Sequence, residues 1–161
     1  MNSSLSRTIR PTIAVIEILG GAMGAVLFLR YALRVSGAHP EVWAAAPLPV
    51  AAFGFCAVAG VLLWLGKAPS RVLTLVALML QVPVVRTPGF GYYFNCGIGL
   101  RILVGAHRVS WFPFWGSELH IMVPDAVTRT TIGVNVVALA LAVLLWLARP
   151  TNATRDAIVT G

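Results

Sequence analysis

From Pro47 to Gly66 the chain runs for about 20 residues without a charge, enough helix to cross the roughly 30 Å hydrocarbon layer of a bilayer. Three more apolar runs lie at about residues 11–34, 70–85 and 130–148. The composition agrees with lipid as the solvent: 58% of the 161 residues are apolar and 11% charged, against about 45–50% and about 25% in a soluble domain. The expected architecture is a single integral membrane domain over 1–161. Its fold class is an all-α transmembrane four-helix bundle, with a small antiparallel β-sheet or hairpin in the connection between helices 3 and 4.

Could the first run be a cleaved signal peptide? Arg7 and Arg10 supply a basic start, but Glu17 interrupts the apolar region early and no AxA-like cleavage site follows. A retained helix is expected. The third run is the shortest, about 16 residues or 24 Å, with Gln81 and Pro83 near its end, so it has to thin the bilayer or borrow from its flanks. The second and fourth runs end alike, with Trp64 before Lys67 and Trp146 before Arg149, as interface anchors do. Cations concentrated in the short segments beside the termini and the second connection put both termini in the cytoplasm of a bacterial inner membrane.

The connection from 86 to 129 holds eight of the fifteen aromatic residues and is punctuated by glycines. Disordered segments are poor in aromatics, so folded structure is expected here. The runs 91–95, 99–104, 109–115 and 118–123, broken at Asn95-Cys96-Gly97, Gly105-Ala106-His107 and Gly116-Ser117, read as short strands of an extracytoplasmic cap. An amphipathic interfacial helix is the alternative for this segment. Tyr92, Tyr93, Trp111, Phe112, Phe114 and Trp115 make the cap a candidate surface for other membrane-protein subunits.

Glu17 is the one carboxylate inside an expected crossing, and a buried ionisable group there is a functional candidate by default. Gly20, Gly21 and Gly24 follow on the same helix face, where another helix would come close, and Thr74, Lys67 or Arg71 would be within its reach. Gln81 and Asn135 are further ligand or proton candidates, or else bond to one another as interhelical glue. Arg30, Arg34, Arg86 and Arg101 are candidates for an anionic headgroup or carboxylate.

The remaining chemistry is sparse. Cys56 and Cys96 fall in an apolar run and a connection, too far apart by this reading to bridge, and no CxxC is present. A group of Glu118 and His120 with His107 or Asp125 has weak metal-ligand spacing, so no metal and no other cofactor is expected. The net charge of +7 lies mainly at the edges of apolar runs, which suits membrane lipids, including anionic ones, as partners, and excludes nucleic acid.

The stretch from Gly54 through Gly60-Val61-Leu62-Leu63-Trp64-Leu65-Gly66 to Arg71 and Met79-Leu80 resembles DoxX-type small four-helix bacterial membrane proteins. The resemblance implies a four-helix membrane fold. It departs from that family where an acidic residue usual in the second helix is missing, and Cys56 lies in this region. The expected function is that of a non-enzymatic polytopic membrane protein, an accessory subunit of a membrane complex or a binder of lipid or another hydrophobic ligand. The alternative is a quinone-linked oxidoreductase component or a small proton-coupled transporter using Glu17.

Overall fold

A computed structural model describes residues 3–35, 46–105, 108–122 and 129–148. It contains helices α1 (Ser3–Val35), α2 (Pro47–Trp64), α3 (Ser70–Gln81) and α4 (Val136–Leu147), and strands β1 (Pro83–Thr87), β2 (Phe90–Val104), β3 (Val109–Met122) and β4 (Thr131–Asn135). Two helical segments, Thr8–Arg34 and Pro47–Trp64, are long and apolar enough to cross a membrane.

The all-α bundle is thereby corrected to a mixed α/β fold of four helices and one four-stranded antiparallel sheet. The third and fourth runs are not full crossings. At 12 residues each, α3 and α4 rise about 18 Å, roughly three fifths of the length of a spanning helix. Local chemistry stops both at one level. Val82 still has helical dihedrals, but Pro83 has no N–H to donate to the Met79 carbonyl and opens β1 instead. Asn135 is extended, ends β4 and caps α4, its side chain accepting the Ala138 N–H at 3.3 Å. A hydrogen bond from the Asn135 N–H to the Val82 carbonyl, 2.8 Å, joins the two helix ends.

β2 pairs with β3 along its whole length, with β1 at its start and with β4 at its end. β1 and β4 also pair with each other, so β1, β4 and β2 close on one another and leave little free edge among them. β2 and β3 run straight through the breaks expected at Asn95-Cys96-Gly97 and Gly116-Ser117, whereas the one expected at Gly105-Ala106-His107 falls between the two strands. Gly97 and Gly116 stand directly opposite each other, at φ 96° and 122°, conformations that L side chains rarely adopt. There the hairpin bends over α1 rather than turning. A Cβ on Gly20 of α1 would lie 2.5 Å from the Gly97 nitrogen, so helix and strand touch backbone to backbone.

α1 and α2 pack antiparallel along one face of α1. Gly21 and Gly24 of that face meet α2 at Phe53 and Ala57, as a close helix approach requires, while Gly20 meets a strand instead. At one end Ile13, Leu63, Leu78 and Leu145 form an apolar cluster, and Arg71 donates to the Trp146 carbonyl at 2.6 Å. At the other, Phe53 and Phe94 pack with ring centroids 5.3 Å apart, beside Cys56 and Ala77. α2 ends on Gly66 (φ 65°), with the Lys67 N–H bonded to the Leu62 carbonyl, a Schellman arrangement.

Candidate functional site

The level at which the two short helices stop is where the polar residues meet. Glu17 from α1, Cys56 from α2 and Cys96 from β2 are all buried, and one carboxylate oxygen and the two sulfurs lie within 4.8 Å of one another. The sequence expectation that the cysteines lie too far apart is thus corrected. Sheet pairing and the Gly20 contact lay Cys96 against the middle of α1, and no sequence spacing encodes that approach.

Gln81 organises the group. Its Nε2 donates to Glu17 Oε1 at 3.1 Å and to the Ala77 carbonyl at 3.1 Å, while its Oε1 accepts the Cys96 N–H at 3.0 Å. One side chain at the end of α3 therefore ties α1 to β2. The Cys96 thiol lies 3.9 Å from the Glu17 carbonyl, a weak hydrogen bond. Glu17 Oε2 makes no well-formed hydrogen bond, although the Cys56 thiol lies close enough to interact with the carboxylate. A buried acceptor left poorly satisfied costs stability, up to about 1–3 kcal/mol when it has no partner at all. Expected neighbours of Glu17 are engaged elsewhere: Thr74 donates to the Ala59 carbonyl at 3.3 Å and Arg71 reaches Trp146.

A second polar group occupies the other face of the hairpin. Arg101 pairs with Glu118 at 2.6 Å, Tyr93 donates to the same carboxylate at 2.7 Å, and the guanidinium lies over the Tyr93 and Phe114 rings at 4.4 and 4.5 Å. Burial pushes the Tyr93 hydroxyl up, and its bond to Glu118 adds to that, to about 12. Burial also pushes Glu118 upward, but the Arg101 and Tyr93 hydrogen bonds outweigh it and hold the carboxyl below its ordinary value. His120 stacks on Tyr93, centroids 4.7 Å apart. His107 and Asp125 of the weak metal group lie outside the described residues.

Asn135 belongs to this second group rather than to Gln81. Its Oδ1 caps α4 and accepts from the Leu100 N–H at 3.4 Å, and its Nδ2 faces Asn95 at 3.3 Å. Asn95 lies between Asn135 and the Arg101 guanidinium, so its oxygen has two donors to choose from.

The other candidates separate. Arg30 and Arg34 are exposed near the C-terminal end of α1, whereas Arg86 and Arg101 lie on the sheet near Tyr93. A basin of about 310 Å³ at the hairpin tip is lined by a different pair of arginines, Arg108 and Arg129, with Thr130 and Thr131. Trp64, Lys67 and Trp146 are exposed at their helix ends, and Arg149 lies outside the described residues. Of the aromatic surface, Trp111, Phe112 and Trp115 are exposed. Tyr92 turns inward to donate to the Leu80 carbonyl at 2.8 Å, and Tyr93 and Phe114 pack with Arg101.

Cys56 and Cys96 are the residues whose roles sequence reasoning missed. Neither carries a local signal, since two lone cysteines in an apolar run and a connection have no ligand spacing. No family model, no curated protein and no solved structure matches this chain, so its chemistry is argued from the Glu17 centre itself.

Proposed function

We propose that the chain is a non-enzymatic integral protein of a bacterial cytoplasmic membrane that binds a small ligand at the Glu17 centre, inside the bilayer. The observation that carries this reading is a buried carboxylate, Glu17, whose Oε1 is held by Gln81 while Oε2 makes no well-formed hydrogen bond, beside two buried thiols. Support for the membrane comes from an inverted distribution of side chains. Glu17, Thr74 and Gln81 are inside, while Leu19, Leu48 and Val58 on the two long helices are more than half exposed. The exposed Trp111 and, separately, the basin lined by Arg108 and Arg129 suit a headgroup region with anionic lipid.

A buried polar group kept for binding lowers stability, whereas one kept as glue raises it. Glu17→Gln preserves an acceptor for Gln81 and removes the ionisable group. In detergent the variant is expected to melt higher by a few degrees, consistent with about 1 kcal/mol in a domain of this size. A lower melting temperature would make Glu17 a structural residue and overturn the reading. Release of the wild-type protein from membranes by an alkaline wash would overturn the membrane assignment.

The quinone-linked alternative is favoured by one observation, the closeness of the two thiols. It requires reversible loss of two thiol protons and two electrons to a quinone, forming a Cys56–Cys96 disulfide and a quinol. Mass analysis of alkylated protein, with and without added quinone, tests it.

A further inference from the structure

We propose that Glu17, Cys56 and Cys96 form a binding site for a zinc-type divalent cation, with Gln81 as its positioning residue. The proposal rests on reading the Glu17 centre as a ligand site and names the ligand's chemical class.

The donors come from three separate elements, α1, α2 and β2, and converge although the two cysteines stand far apart in the chain. All three are buried, one oxygen of the carboxylate lies within 4.8 Å of both sulfurs, and Oε2 of the same carboxylate makes no well-formed hydrogen bond. A tetrahedral site with zinc–sulfur bonds of about 2.3 Å places its ligand atoms about 3.8 Å apart. Atoms already within 4.8 Å of one another need to close by at most about 1 Å, which rotation of the two cysteine side chains supplies.

The donor set selects among cations. Magnesium and calcium require six or more oxygen ligands, and two of the three donors here are sulfur. Copper(I) is satisfied by soft sulfur and leaves the carboxylate without a purpose. Zinc accepts mixed sulfur and oxygen sets, and three protein ligands leave its fourth position open, the pattern of sites that exchange or act on a ligand.

Two thiolates and a carboxylate would be three anions in a dry interior, far too costly to hold without a cation. Metal binding displaces the protons of its thiol ligands, so affinity rises with pH. Gln81 fixes the arrangement on both sides, holding Oε1 of the carboxylate and the backbone of Cys96 at once. Its role is that of the outer partners that orient metal ligands.

The test uses the full chain in detergent, reduced, stripped with a chelator and titrated with Zn²⁺, and with Co²⁺ as a spectroscopic probe. One ion per chain is expected, with a sulfur-to-cobalt charge-transfer band and protection of both cysteines from N-ethylmaleimide. Cys56→Ser and Cys96→Ser are each expected to weaken binding by about 100-fold or more, and Gln81→Leu by about 10-fold with the band retained. Protection and the band are read on the wild-type protein, so a misfolded variant does not leave the matter open.

Absence of both the band and the protection in wild-type protein would overturn the zinc site, as would a double cysteine variant that binds equally well. Recovery of a Cys56–Cys96 disulfide whose reduced form takes up no metal would also overturn it, in favour of thiol redox chemistry. Melting of Glu17→Gln on the same preparations separates the two levels. If metal fails and the variant melts higher, the ligand centre stands with the wrong occupant; if the variant melts lower, the centre falls as well.

Discussion

Asn95 and Cys96 are neighbours in β2 and point to opposite faces of the hairpin, each into a buried polar group. The two groups are finished to different degrees. On the Asn95 face, Arg101, Glu118, Tyr93 and Asn135 find partners in one another and in the backbone. On the Cys96 face, Gln81 is fully used, Glu17 Oε2 makes no well-formed hydrogen bond, and the two thiols lie close to the carboxylate with only a weak bond from Cys96 to the Glu17 carbonyl. A completed network stabilises and specifies a fold, whereas an incomplete one costs stability and is kept for something else. The first group therefore reads as structure and the second as function.

Substitutions can break that contrast. The largest expected effect belongs to Gly20→Ala, because the added Cβ would meet backbone atoms of Cys96 and Gly97 at 2.5–2.6 Å, and backbone cannot swing aside. A loss of about 3 kcal/mol is expected from overpacking of this kind, together with loss of metal binding, because the hairpin is pushed off α1. Unchanged unfolding in a denaturant titration would mean that α1 and the hairpin do not touch.

Asn135→Ala removes the α4 cap and a partner of the Leu100 N–H and Asn95, for an expected loss of about 2 kcal/mol by thermal melting. Its zinc affinity should stay within a few-fold of wild type, since the residue serves the other face. A large drop in affinity would show the two groups to be one.

Glu118→Gln should cost less, under about 1 kcal/mol, because the carboxylate side of the Arg101 pair is 52% exposed and screened. Here the sign is opposite to that expected for Glu17→Gln, and equal signs would erase the distinction between the two faces. The smallest effect is a pH dependence. Glu118 is held below its ordinary value, so the unfolded chain binds the proton more readily. Its contribution is complete above the unfolded carboxyl pKa and is lost as pH falls through the lower folded value. Melting curves recorded on the acid side should show a slope that Glu118→Gln abolishes.

Much of the secondary structure was legible because it is written in local chemistry. The uncharged run opening at Pro47 is α2, and the glycine-bearing face of α1 does meet a close neighbour. Other signals were present but outweighed by apolar length. Pro83 forbids the helix continuing to 85, and the β-branched residues around Gly133, followed by Asn135, spell a strand and a cap rather than the start of a crossing. Gly97 and Gly116 were read as strand breaks because glycine marks turns, bends and close approaches with the same letter.

The candidate site was half legible. Glu17 and Gln81 could be singled out one at a time, since a carboxylate and an amide in apolar runs are costly wherever they sit. Their pairing with each other, and with two cysteines, could not. What the sequence alone determined is the apolar surface, the two long helices and the identity of the expensive residues, all consequences of composition and of patterns within one segment. The tertiary structure decided which of those residues meet, because the meeting depends on β2 crossing α1 at Gly20, a contact between segments whose spacing no local pattern records.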